Sequence, residues 1–188
     1  MKIKKLICIG ILGIFCAVSA VGCGKKENTK TTTEASSEED TQEASTQVFA
    51  MDTYMTVKAY GPQADAAVEA AVEEINRLDA LLSTGNEDSE VAGINANNGG
   101  HLSEDGAVLM ERSLELYKST GGVFDVAIYP VMKAWGFTDG NYQVPDAETL
   151  KSLLQLADPS LIEYDSSTAD VNFEEKGVQI DFGGIAKG

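Results

Sequence analysis

The stretch VQIDFGGIAKG, Val178 to Gly188, decides how the chain is read. It has the form of a β run, a glycine pair and the opening of a helix that carries Lys187. Two glycines let backbone approach a ligand without a side-chain clash. The first amides of a helix and its positive dipole end favour an anion, and Lys187 adds a point charge. The carbonyls of a Gly-Gly pair can also ligate a hard cation such as Mg²⁺. The spacing is not that of a P-loop, which needs G-x-x-x-x-G-K-[ST]. On pattern alone, a glycine pair that serves only strand–turn–helix packing fits the same residues. A strand that feeds such a turn is expected to feed further structure, so the chain reads as an N-terminal fragment cut at a strand–helix junction. The alternative is a natural terminus whose last residues fray.

Working back from that stretch, the pattern is mixed. LIEYD, the turn-like SSTAD, VNFEE and VQIDF, separated by Gly177, read as a β meander. Pro145-Asp146 opens a short helix, DAETLKSLLQLAD. STGGVFDVAIYPVMKAWGF begins with a glycine pair and fits no single period. Ser103 can cap a helix running to about Lys118, and TGNEDSE is loop. In QADAAVEAAVEEINRLDALLS, Val68, Val72, Ile75, Leu78 and Leu82 recur at helical spacing. Glu69, Glu73, Glu74 and Asp79 fall on the opposite, solvent-facing side. VFAMDTYMTVKAYG alternates through Phe49, Met51, Thr53, Met55, Val57 and Ala59 and reads as one half-buried strand, ended by Gly61-Pro62. The expected class is α+β, with a folded part over residues 47–188.

The first 22 residues look like a processing segment. Lys2, Lys4 and Lys5 precede an apolar run from Leu6 to about Val18, and small residues lead into Cys23. The run is short for a membrane span. Cysteine directly after small residues suggests a bacterial lipoprotein signal over 1–22, with Cys23 lipidated and the protein extracytoplasmic on the cell membrane. Residues 24–46 hold no aliphatic residue larger than Ala and no aromatic, so 23–46 reads as a lipidated cysteine and a disordered tether. A coil of that length has an r.m.s. span of about 25 Å.

Composition narrows the chemistry. Cys8 and Cys16 leave with the signal, and Cys23 is taken by lipid, so no disulfide, cysteine nucleophile or cysteine metal site is expected. One histidine, His101, in the loop-like NANNGGHLS, gives poor support to a Ser/His/Asp arrangement. The formal charge is −16, and −19 once the three signal lysines are gone. Nucleic acid is therefore excluded as a partner, since phosphate backbones need a basic surface. A protein this acidic binds phosphate only through local amides, a placed lysine or a bridging cation.

Three segments are candidates for chemistry: AMDTYMTV with Met51, TGGVFD with Asp125, and IDFGGIAKG. Taken singly, Gly121-Gly122 fits a helix C-cap, Met51 and Phe124 fit a core, and only Asp125 needs a partner if buried.

Taken together and in order, FAMDTYMTVKAYG, INRLDALLS, DSEVAGIN, STGGVFDVAIYPVMKAWGF and GVQIDFGGIAKG resemble the ApbE family of FAD:protein FMN transferases, from about Phe49 to the last residue. The resemblance implies a two-part α+β architecture related to T-fold modules, with FAD in a cleft between the parts. It also implies Mg²⁺-dependent splitting of FAD and transfer of FMN to a Thr or Ser hydroxyl of an acceptor flavoprotein, typically a subunit of a membrane redox complex. By the same resemblance Met51 lies at the flavin site, and Val123, Phe124 and Asp125 contact the nucleotide. Asp181 and Lys187 contact FAD, and the Gly184 carbonyl ligates Mg²⁺. Asp52 stands where the family often has Gly, and Gly85 where some members set an aromatic residue against FAD. Asp88 and Ser89 match the pattern without an assigned role. The family's other metal ligands, an Asp and a Thr, lie beyond the GGIAKG position, so a chain ending at Gly188 is expected to be inactive alone. Two alternatives stay open: an FAD pyrophosphatase that releases FMN and AMP, and a lipid-anchored flavin-binding or scaffold protein without chemistry.

Overall fold

A computed structural model describes residues 42–187. The elements are β1 (Glu43–Ala50), β2 (Thr53–Tyr60), α1 (Ala64–Leu82), α2 (Glu90–Asn97), β3 (Gly99–His101), α3 (Glu104–Thr120), α4 (Tyr129–Ala134), α5 (Ala147–Leu153), β4 (Ile162–Asp165) and β5 (Asp170–Phe173). Short 3₁₀ turns at Val126–Ile128 and Pro159–Leu161 lead into α4 and β4. The mixed helix–strand architecture is the expected α+β class. Among the described residues no helix is long and apolar enough to cross a membrane.

The stretch around Met51 is two strands, not one. β1 and β2 pair antiparallel, from Glu43 opposite Tyr60 to Ala50 opposite Thr53. The connection is the two residues Met51 and Asp52, with φ of 51° and 53°. Positive φ at both central residues is the turn whose twist matches a hairpin. The turn shifts the covered face by one residue: Val48 and Ala50 face inward on β1, and Thr53, Met55, Val57 and Ala59 on β2, so Phe49, expected on the half-buried face, is exposed. Asp tolerates the left-handed region better than most residues, which suits Asp52 to the second position of the turn. β1 also begins at Glu43, inside the stretch read as tether; Gly61 N–H donates to Gln42 O at 2.8 Å and extends the ladder by one step. Cys23, the signal segment and most of the tether lie outside the described residues.

The hairpin packs on α1, which also meets α2. The core gathers Leu82, Val91, Ile94, Met110, Val126 and Phe182 among others, all below a tenth exposed. Full burial of a side chain such as Phe182, 1% exposed, contributes about 1.5–3 kcal/mol. α3 starts where expected: Ser103 Oγ accepts from Gly106 N–H, and Glu90 Oε2 accepts from Ser103 N–H at 2.7 Å. It ends on Gly121, a left-handed cap, with Gly122 N–H bonded to Tyr117 O. The helix at Pro145-Asp146 is α5, capped by Asp146.

Two elements fall where no helix or strand was expected. α2 is eight residues long and holds Gly93, Asn95 and Asn97, a composition with little helical preference. β3 has no apolar residue at all; it pairs with β5, in the sheet order β3-β5-β4. Gly99 lies so close to β5 that a Cβ would sit 2.5 Å from Val171 O.

The expected strand VQIDF joins no sheet; its one ladder contact is a bridge between Lys176 and Val178. Its extended backbone is held by a side chain instead. Asn95 Nδ2 donates to Ile180 O at 2.9 Å, and Ile180 N–H donates to Asn95 Oδ1 at 2.7 Å. An amide side chain thus imitates the neighbouring strand. Asp181 N–H then donates to Val126 O. The helix expected from Ile185 is, over the described residues, a turn in which Ile185 and Ala186 N–H both donate to Phe182 O.

Candidate functional site

One cleft of about 730 Å³ draws on segments far apart in sequence. The hairpin turn, the last turn of α1 with residues 83–85, the Val123–Asp125 loop, the Phe137–Thr138 corner and the Asp181–Lys187 turn form its walls. Met51, Val123, Phe124, Asp125, Asp181, Gly184 and Lys187 all line it. Val123 is 87% exposed and stands at the surface. Asp88 and Ser89 do not line the cleft; Ser89 caps α2, accepting from Ala92 N–H and donating to Ser83 O. His101 is exposed on β3 and meets Asp170 at 3.1 Å.

The polar groups are fixed by short bonds. Asp181 Oδ1 accepts from Gly183 N–H at 2.7 Å, and Oδ2 accepts from Thr84 Oγ1 at 3.3 Å. The Gly183 amide is thereby taken by protein, so the anion-holding helix start expected there is replaced by a carboxylate-capped turn. Thr84 O accepts in turn from Tyr129 OH at 3.3 Å. Lys187 Nζ donates to Thr53 Oγ1 at 2.6 Å, joining the Asp181–Lys187 turn to the hairpin. Gly184 lies against Phe124, where a Cβ would come within 3.2 Å of the ring. Asp125 caps the 3₁₀ turn, accepting from Ala127 N–H at 2.8 Å. Burial pushes its carboxyl above the ordinary aspartate range, opposed by that amide and aided by the charge of Asp158.

Asp79, Thr84 and Phe137 are among the cleft residues that escaped the sequence reading. Asp79, assigned to the solvent side of α1, lines the cleft and accepts from Met51 N–H at 3.0 Å. It sits in the last turn of a helix whose acidic side is long, and nothing local separates it from Glu73 or Glu74. Thr84 lies in a loop with no pattern. Phe137 is 57% exposed, parallel to Trp135 with ring centroids 6.1 Å apart, and lies beside the cleft in the segment without a period.

The ionisable side chains of the lining are Asp52, Asp79, Asp125 and Asp181 against Lys187 alone. Such a donor set favours a cation. Among the described residues no three His, Cys, Asp or Glu side chains converge as a metal cage. The set suits an ion of the Mg²⁺ kind, which keeps waters and takes one or two protein oxygens plus ligand phosphates.

A nucleotide-sized, acid-lined cleft on an α+β scaffold is what this fold and site define. The chain belongs to the ApbE family, whose model matches residues 51–188. It is 30% identical over 148 residues to the FAD:protein FMN transferase of Treponema pallidum (strain Nichols), covering 72% of this chain and 41% of the relative. It is 29% identical over 197 residues to that of Haemophilus influenzae, covering 98% and 53%. The chain thus spans about half the length of the curated relatives it matches. The fold superposes on the crystal structure of the ApbE protein from Thermotoga maritima MSB8, with a TM-score of 0.72 and 27% identity over 78% of this chain and 49% of that one. Against the flavin transferase ApbE from Vibrio cholerae the TM-score is 0.69 at 18% identity, over 78% and 50%, a likeness of fold.

Proposed function

We propose that the cleft binds FAD and that the whole protein transfers FMN from FAD to a Thr or Ser hydroxyl of an acceptor flavoprotein, a subunit of a membrane redox complex. The observation that carries this reading is convergence. Seven residues drawn from three distant segments, each assigned to FAD or its metal by family resemblance, line the same cleft. The curated relatives carry the name of that activity.

The chain's own residues suggest a division of labour. Met51, Phe124 and the neighbouring apolar lining would exclude water from the flavin. Lys187 would set a positive charge against the pyrophosphate, and Asp181, fixed by Thr84 and Gly183, would orient the turn that carries Gly184. The Gly184 carbonyl would be a ligand of Mg²⁺. The ion, when bound, neutralises charge on the split pyrophosphate and on the departing AMP. An acid-rich cleft suits this arrangement because the metal, not the protein surface, balances the phosphates.

The test is product analysis with the full-length protein, FAD, Mg²⁺ and a candidate acceptor. AMP with flavin fluorescence fixed to the acceptor supports the transferase. AMP with free FMN makes the protein an FAD pyrophosphatase, and neither product overturns the enzyme reading. Lipid attachment at Cys23 and an extracytoplasmic location belong to the same proposal. Radiolabelled palmitate should be incorporated by the wild type and not by Cys23→Ser.

A further inference from the structure

We infer that Asp79 is a positioning residue: it holds the Met51–Asp52 turn and so sets the wall of the cleft that Met51 provides. The inference rests on the flavin reading of the cleft and adds a residue to it.

Two consecutive non-glycine residues with φ of 51° and 53° make a turn that needs outside support. Left-handed backbone is disfavoured for residues with a Cβ, and Met51 has no short polar side chain to satisfy the turn locally. The support comes from α1. Asp79 Oδ1 accepts the Met51 amide at 3.0 Å, across 28 residues of sequence, in a partly buried setting. A carboxylate acceptor makes a shorter and stronger bond than a neutral one. Met51, Asp52 and Asp79 all line the cleft, so the bond lies at the site itself.

The hairpin carries a comparison within its own structure. At the other end of α1, Gln42 Nε2 donates to Asp65 Oδ2 at 2.5 Å, tying the start of β1 to the same helix. Asp65 does not line the cleft. Both aspartates fasten the hairpin to α1, and only Asp79 does so at the turn. A side chain that merely docks the hairpin would act alike at either end; one that positions the turn acts only from Asp79.

The experiment compares Asp79→Ala, Asp79→Asn and Asp65→Ala with the wild type in the full-length protein. The Met51 amide is followed by ¹⁵N-resolved NMR and hydrogen exchange, and FAD affinity by flavin fluorescence titration. The expected result is an upfield shift and faster exchange of the Met51 amide in Asp79→Ala, with FAD binding weakened about tenfold, the scale of one charge-assisted hydrogen bond. Asp79→Asn, whose Oδ1 still accepts, should recover most of both, and Asp65→Ala should change neither. Equal weakening in Asp65→Ala and Asp79→Ala overturns the inference, as does an unmoved Met51 amide in Asp79→Ala. An Asp79→Asn variant that keeps the amide signal yet binds as poorly as Asp79→Ala also overturns it, because the charge and not the turn would then be responsible. A wild type that binds no FAD removes the flavin reading, while the Met51 amide still decides whether Asp79 holds the turn.

Discussion

Replacing Asn95 by alanine should unfold much of the chain's stability margin through two backbone groups that are not its own. Asn95 bonds both the N–H and the C=O of Ile180, and Ile180 is fully buried. Alanine leaves a donor and an acceptor stranded away from water. Each stranded group costs about 1–3 kcal/mol, so the pair costs about 2–6, with a central value of about 4 kcal/mol. A domain of this size holds about 5–15 kcal/mol in all. The assay is urea unfolding followed by far-ultraviolet circular dichroism. Asn95→Asp sharpens the test. Its carboxylate still accepts from Ile180 N–H but faces the Ile180 carbonyl without a proton to offer. Its protonated form regains a donor, so the loss should shrink as pH falls through the carboxyl range. An Asn95→Ala variant within about 0.5 kcal/mol of the wild type would refute the claim that a side chain replaces a strand here.

Other substitutions read different parts of the chain. Gly136→Ala should destabilise by more than about 2 kcal/mol in the same assay, because φ is 74° and the new Cβ would lie 2.0 Å from Asn141 O. Asp125→Asn should gain stability over the wild type as pH rises. The folded carboxyl is pushed up by burial, so its ionisation penalty opens above the ordinary aspartate value and is complete above the folded one. Thermal melts across acidic to neutral pH check this, and a difference that does not grow with pH contradicts it. Lys187→Met should weaken FAD binding about tenfold and reduce its salt dependence, measured by fluorescence titration at two ionic strengths.

What the sequence revealed follows the range of the physics. α1 and α3 were legible because amphipathic spacing and an N-cap serine are local signals. α5 was legible from Pro145 and Asp146. The hairpin was half legible: the alternation was plain, and the turn was hidden because Met and Asp are not the Asn-Gly pair that announces one. β3 was illegible since Gly99-Gly100-His101 becomes a strand only through β5, about 70 residues away. The VQIDF segment misled for the opposite reason, having strand composition but Asn95 for a neighbour. At the site, Met51, Phe124, Asp125 and Asp181 were picked out through the family resemblance; taken singly, Met51 and Phe124 read as core. Asp79 was placed on the wrong face of α1 because a helix turn next to a cleft looks, residue by residue, like one next to water.

The hairpin also fixes where the chain enters. Gln42 and Met51 stand at opposite ends of β1, whose eight residues span about 24 Å. Whatever precedes Gln42 therefore joins at the end remote from the cleft. With a lipid at Cys23, as proposed, the membrane would pull on the first residue of β1. Load on that residue would first meet the Glu43–Tyr60 pair at the open end of the hairpin and the Gln42–Asp65 bond that ties this end to α1. The strand would then be a standoff that keeps the mouth of the cleft away from the lipid surface.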